Sequence, residues 1–202
     1  MSERRAPRVL GAAFYDRPTE TVARQLLGCV LEHRTPVGMT RGRIVEVEAY
    51  LGPDDPACHS ARGWSERTRH LHGPPGRAYV YRIYGLHWCV NAVTRETGHG
   101  SAVLLRAVEP LAGVELMRRR RGRVPDRQLA RGPGNLCQAF GITGDEDGVS
   151  LSRGALRILE GPGVADADVF VTARIGISKA AEWPLRFVVR GSPFASGSVG
   201  RR

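Results

Sequence analysis

Lysine is almost missing from this 202-residue chain: Lys179 is the only one, and arginine carries nearly all the positive charge. Schiff-base chemistry needs an amine, so only Lys179 and the N-terminus could supply it. Cysteine is sparse too. Cys29, Cys58, Cys89 and Cys137 lie far apart without a C-x-x-C spacing, which argues against the common zinc and dithiol patterns. They are expected to be reduced, mostly buried thiols of an intracellular protein, cytoplasmic or nucleoid-associated if the source is bacterial. No apolar run approaches a membrane span, and the charged stretch 1–8 leads into no apolar segment, so no secretory signal is expected. The clustered acidic ligands of a metal nuclease are absent, and neither metal nor other cofactor is expected.

What is present is charge of one sign. The formal net charge is +10 and the pI about 10.4, which favours a polyanionic partner, nucleic acid before anionic membrane. Codon bias in a GC-rich genome explains the arginine-to-lysine ratio equally well. Hydrophobic content of 42% and charged content of 25% are ordinary for a globular protein. The length suits one domain over 1–202, with flexible ends at about 1–8 and 196–202, acting as a monomer.

The pattern of elements predicts an α+β fold, a mostly antiparallel, curved sheet with several short helices. Arg17 to Gly28 reads as a helix with Val22, Ala23, Leu26 and Leu27 on one stripe. Cys29–His33 and Arg43–Tyr50 read as paired strands across the turn Thr35-Pro36-Val37-Gly38. Further strands are expected on either side of Tyr84-Gly85 starting from Ala78, over 88–94, and over 101–108, 155–160, 167–177 and 185–189. Pro110 is expected to open a helix through Leu116 and Met117, and Gly132-Pro133-Gly134 another that ends at Gly141. Arg118 to Arg121 reads as a basic, turn-rich connection with a solvated surface.

The stretch Arg43–Tyr50 alternates, so Ile44, Glu46, Glu48 and Tyr50 should share one strand face, opposite Arg43, Val45, Val47 and Ala49. Leu51-Gly52-Pro53-Asp54-Asp55-Pro56 then ends the strand, leaving Glu48 and Tyr50 near a loop mouth. Taken alone, the two glutamates read as a surface pair on an amphipathic strand. Tyr79, Tyr81 and Tyr84 gather within six residues in a chain holding only five Tyr, five Phe and three Trp. Core packing is the default for aromatics in strands, but Tyr84-Gly85 falls between two strand-like runs, at a hairpin tip suited to entering a base stack. Arg106 interrupts an apolar run and needs a carboxylate partner, Glu46 or Glu48. Such a pairing is expected to favour the ionised carboxylate. Cys58, His59, His70 and His72 are metal-ligand types at no zinc spacing. Arg62, Arg67 and Arg69 around Trp64 suit either a phosphate-contacting loop or a solvated one.

Longer strings carry a resemblance. They are Gly42-Arg43-Ile44-Val45-Glu46-Val47-Glu48-Ala49-Tyr50-Leu51-Gly52-Pro53, His59-Ser60, Tyr79-Val80-Tyr81 and Ile83-Tyr84-Gly85. Val103 to Leu111, Leu136-Cys137-Gln138-Ala139 and Arg190-Gly191-Ser192-Pro193 extend them. Over roughly residues 10 to 194 the chain resembles the alkyladenine (3-methyladenine) DNA glycosylases of the mammalian alkylpurine type, and ordered strings of this length are specific. The resemblance implies that Glu48 is the general base for a hydrolytic water and that Arg106 helps to hold that water. It implies that Tyr50, His59 and Tyr81 wall the base pocket and that Tyr84 enters the duplex. Asn91 would exclude guanine, and a backbone carbonyl near Ile175 would touch the water. His72 and His87-Trp88 depart from the family pattern. The implied reaction is monofunctional excision of an alkylated or deaminated purine from double-stranded DNA, leaving an abasic site. The competing reading from composition alone is a non-catalytic nucleic-acid-binding β domain. Glu48 and Arg106 separate the two, because a carboxylate has no use against phosphates.

Overall fold

A long strand, β2 (Gly38–Tyr50), is the axis on which the other elements are hung. The structure is a computed structural model and describes residues 7–197; residues 1–6 and 198–202, which hold most of the expected loose ends, lie outside the described residues. β1 (Val30–Thr35) pairs with the first half of β2, while β8 (Arg186–Val189) takes Glu46 to Glu48 farther along. β5 (Ser101–Ala112) covers the other edge of β2. β3 (Ala78–Ile83), β4 (His87–Thr94), β6 (Leu156–Leu159) and β7 (Val169–Thr172) complete an eight-stranded sheet in the order β3-β4-β5-β2-β1-β6, with β7 beyond β8. All the named strand pairs are antiparallel. The expected α+β domain is therefore found.

Helices cover one face. α1 (Ala12–Tyr15) leads into α2 (Thr19–Leu26), whose Val22, Ala23 and Leu26 are fully buried. α3 (Val114–Arg121) packs on α4 (Pro133–Phe140), and α4 lies on β4 and β5. Ala78, Val80, Val90, Ala92, Val103 and Leu105 enter the core beneath them. Apolar burial at about 25 cal/mol per Å² drives this packing. By the period of two, the residues between these, Tyr79, Tyr81, Cys89, Asn91, Leu104 and Arg106, face away from the helices. That second face is the important one. All four cysteines are free and buried, and no described helix is long and apolar enough to cross a membrane.

The structure corrects four local readings. Ile44 does not share a face with Glu48: it packs in the main core with Val47 and Ala49. The β2–β5 register slips on both sides of Glu46, adding a residue to each strand in turn, and such bulges re-aim side chains. Pro110 is inside β5, opposite Gly42, where the register is already irregular and a missing N–H is tolerated. The helix starts instead after Gly113, whose φ of 71° and approach to the Met39 carbonyl leave no room for a side chain. Arg118 to Arg121 form the last turn of α3, where free carbonyls favour cations. Arg118 pairs with Asp126, while Arg120 and Arg121 donate to the Ala139 and Leu129 carbonyls. Ser196, read as part of a loose end, is tied by its N–H and hydroxyl to the buried Glu46.

Candidate active site

On the face away from the helices the strands line a cleft of about 390 Å³. Tyr50, His59, Tyr81, Tyr84, Asn91 and Arg106 all line it, six of the seven residues singled out from the sequence. Tyr84 stands at its rim. Glu48, the seventh, is closed off from solvent behind Tyr50 and Arg106.

Glu48 is held from three sides. Its Oε1 accepts the Ile175 amide at 2.8 Å and lies 3.2 Å from Nη1 of Arg106. Its Oε2 accepts the Tyr50 hydroxyl at 3.0 Å. A carboxylate oxygen can accept about two hydrogen bonds, so Oε2 keeps acceptor capacity. Burial pushes Glu48 above the ordinary carboxylate range, and Glu46 adds to the rise, against the pull of Arg106, the amide and the hydroxyl. This corrects the expectation that the Arg106 pairing decides the charge: removing a carboxylate from water outweighs one shared guanidinium. Ile175, where the sequence pointed to a carbonyl touching the water, contributes its N–H to the carboxylate.

Arg106 serves both glutamates. Its Nε donates to Glu46 Oε1 at 2.9 Å, and Arg186 Nε reaches the same oxygen at 2.8 Å. Burial draws the Arg106 guanidinium down, but Glu48 and Glu46 outweigh it, so the charge is secured. Glu46 is thereby a buried structural hub, not a cavity residue.

The aromatic wall comes from β3 and the 3₁₀ turn His59–Arg62. The His59 and Tyr81 ring centroids are 4.5 Å apart at 65°, and Tyr79 and Tyr81 are 5.3 Å apart at 34°. Tyr79, missed from the sequence as a site residue, bonds through its hydroxyl to His59 Nδ1 at 2.9 Å. Burial, with Arg67 and Arg62, holds His59 below its usual value and so favours the neutral ring. Burial raises the Tyr81 phenol well above its usual value and lifts the Cys89 thiol to about 11. Both stay neutral. Asn91 is buried, and its side-chain amide donates to the Tyr79 carbonyl at 2.9 Å, which fixes its orientation. Asp55 and Arg174 were also missed, and Arg67 reads from the sequence only as part of a phosphate-contacting or solvated loop. Arg67 lines the cleft, whereas the other two form a buried pair behind Tyr50.

Tyr84 lies apart from this packing. It is 82% exposed at the β3–β4 hairpin tip, with Leu86 at 74% beside it. Its φ of 53°, with 66° at Gly85, sets both central residues of a turn closed by the Leu86 N–H on the Ile83 carbonyl at 3.1 Å, inside the three-residue loop between paired Ile83 and His87. A bulky residue with positive φ is uncommon and costs on the order of 1–2 kcal/mol. Strain of this kind gathers at functional positions. Trp64 is also exposed, on the loop carrying Arg62 and Arg67. Among the described residues no group of three or more His, Cys, Asp or Glu side chains is placed to hold a metal ion. His70 is engaged with Asp147, and His72 with the Thr68 carbonyl.

Comparison with known proteins fits the same picture. The family model described as methylpurine-DNA glycosylase matches residues 13–193. A protein of Methanoculleus marisnigri, provisionally named a 3-methyladenine DNA glycosylase, is 54% identical over 190 residues, covering 93% of this chain and 98% of the relative. Relatives with the same provisional name occur in Koribacter versatilis, 47% identical with 93% of each chain covered, and in Rubrobacter xylanophilus, 52% identical over 82% of this chain and 86% of the relative.

Proposed function

This chain belongs to the methylpurine-DNA glycosylase family, and we propose that it is a monofunctional DNA glycosylase that hydrolyses the N-glycosidic bond of a damaged purine through a water activated by Glu48. The observation that carries the reading is the buried Glu48 carboxylate, held by Arg106, the Ile175 amide and Tyr50 at the back of an aromatic cleft. A base stacked in a duplex is out of reach of such a cleft, so it must rotate out, at a cost of a few kcal/mol of unstacking. Tyr84 fills the gap in the stack and offsets part of that cost, since base–aromatic stacking contributes about 1–3 kcal/mol.

In this reading Tyr50, His59 and Tyr81 enclose the extruded purine. Their π faces favour an alkylated, cationic base over a normal one. A water that enters between Tyr50 and Arg106 and takes the remaining acceptor position of Glu48 Oε2 gives a proton to the carboxylate while its oxygen bonds to C1′. The glycosidic bond breaks, and its electron pair leaves with the base. Before it takes that proton, the anionic carboxylate stabilises the oxocarbenium-like sugar as its charge develops. Asn91 abuts the purine and rejects guanine by its exocyclic amine. The basic surface holds the duplex through its phosphates. Every residue invoked comes from one chain, which suits a monomer.

The reading is tested with duplexes each carrying one 3-methyladenine, 7-methylguanine, hypoxanthine or ethenoadenine. Incubation with the protein followed by alkali should cut at least one of them at the lesion, and an undamaged duplex should survive. If alkali cuts none of the lesion duplexes beyond the no-enzyme control, the proposed activity is refuted.

A further inference from the structure

Asp55 and Arg174 are the most enclosed ion pair in the molecule's described part, with neither side chain exposed. They lie 119 positions apart in the chain. Arg174 grips Asp55 with both terminal nitrogens, Nη1 to Oδ2 at 2.5 Å and Nη2 to Oδ1 at 2.9 Å, and Nη1 also donates to the Ala49 carbonyl at 3.0 Å. Asp55 in turn accepts the amides of Leu51 at 3.1 Å and Ala57 at 3.0 Å. Burial alone would raise Asp55, but these donors outweigh it and hold the carboxyl below its usual value.

As a source of stability the arrangement is poor. Burying two charges costs much of what their attraction returns, and an apolar pair of similar volume is often as stable or better. The Arg174 Nε–H is moreover buried without an acceptor, a further penalty. What the pair does achieve is geometric. The Arg174 guanidinium lies 4.7 Å from the Tyr50 ring centroid. The carbonyl and amide it fixes, at Ala49 and Leu51, flank Tyr50 on either side in the chain. The residue after Arg174 is Ile175, whose amide donates to Glu48.

We propose that the Asp55–Arg174 pair is a positioning clamp that holds both of Glu48's hydrogen-bond donors, the Ile175 amide and the Tyr50 hydroxyl, against the carboxylate. The proposal rests on the glycosylase reading only for its effect on rate. Hydrogen bonds to the ionised form favour it, so loosening them leaves Glu48 more exposed to the penalty of burial. The groups around Glu48 are Arg106 on β5, Glu46 and Tyr50 on β2, Arg186 on β8, Cys89 on β4, and Arg174 itself. A variant that keeps the charge of Arg174 while losing its fork separates geometry from charge. Arg174→Lys does this, because an ammonium cannot chelate a carboxylate with two parallel donors.

The direct test follows the Glu48 side-chain carboxyl by ¹³C NMR titration in wild type and Arg174→Lys, using Glu48→Gln to assign the signal. The expected result is a midpoint higher in the variant by about 0.5–1 pH unit. Single-turnover excision should fall about tenfold near neutrality, and its acid limb should move to higher pH by the same amount. If Arg174→Lys does not fold, the double variant Asp55→Asn/Arg174→Gln, which leaves no unpaired buried charge, takes its place. An unmoved Glu48 midpoint in the folded variant overturns the clamp, even if the rate has dropped. A wild-type protein that excises nothing would refute the glycosylase reading instead, and the titration would still decide the clamp.

Discussion

Arg106 divides its guanidinium between two carboxylates, donating through Nε to Glu46 at 2.9 Å while Nη1 stands 3.2 Å from Glu48. Only a fork can do both. Arg106→Lys should therefore keep the charge yet lose one of the two contacts, and single-turnover excision is expected to fall at least tenfold. Arg106→Gln leaves the buried Glu48 without its cationic partner, while Glu46 keeps Arg186, and should cost about 3–5 kcal/mol in urea unfolding. Wild-type excision by Arg106→Lys would show that the shared fork is irrelevant to the chemistry.

Tyr84 has little to lose in the free protein, being 82% exposed. Tyr84→Ala should leave the unfolding midpoint nearly unchanged and weaken binding to lesion duplexes by about 1–3 kcal/mol, the value of one stack. Binding to single strands should change much less. Equal losses on both substrates would remove Tyr84 from the role of wedge.

Asn91 is clamped to the Tyr79 carbonyl and lines the cleft, so it presents a fixed obstacle. Asn91→Ser should raise excision of undamaged guanine relative to hypoxanthine, since specificity can come from a clash with the wrong partner. Product analysis by chromatography gives the ratio. An unchanged ratio would mean that guanine is excluded elsewhere.

Sequence reading succeeded where the relevant chemistry was local. Alternation along 46–50 and 79–81 put Glu48, Tyr50 and Tyr81 on the cleft face because a period of two needs only near neighbours. It failed at Ile44, since a bulge beside Glu46 leaves no mark in the alternation. The partner of Asp55 is 119 positions away, and an aspartate after Gly52-Pro53 reads as an ordinary turn residue. Tyr79 looked like a core aromatic until its hydroxyl met His59 across the fold. The charge preference of Glu48 was misread because alternation reports which face a residue takes, not how deeply that face is covered. Ser196 had no local signal at all.

Acid should weaken the fold through Glu32. Burial would raise this carboxyl, but bonds from Arg34, Arg41 and Arg157 bring it from 4.5 down to about 2. A carboxyl depressed on folding stabilises the protein above its unfolded value, and the gain disappears as pH falls through the folded one. The contribution is at most about 3 kcal/mol, reduced by the solvent around the three arginines. Urea unfolding of wild type and Glu32→Gln should differ at pH 7 and converge as pH falls from about 4.5 toward 2. A difference that stays constant across that window would contradict the assignment.

Lys179 is exposed in a cleft that adjoins the base cleft through His59, and it does not line the base cleft itself. Borohydride added during reaction with lesion DNA should therefore trap no substantial covalent adduct. A strong adduct abolished by Lys179→Ala would replace hydrolysis with amine catalysis.

The role given to Glu48 is tested most directly by single-turnover excision with Glu48→Gln, which keeps the shape and removes the base. General-base catalysis contributes about 10²–10⁴-fold, so the rate should fall by at least that range, while binding to a duplex carrying a non-cleavable abasic mimic persists. Because burial raises Glu48, the wild-type rate should also decline on the acid side at a pH above that of an ordinary glutamate. Near wild-type excision by Glu48→Gln, with the loss appearing instead in Glu46→Gln, would contradict the assignment of the base to Glu48.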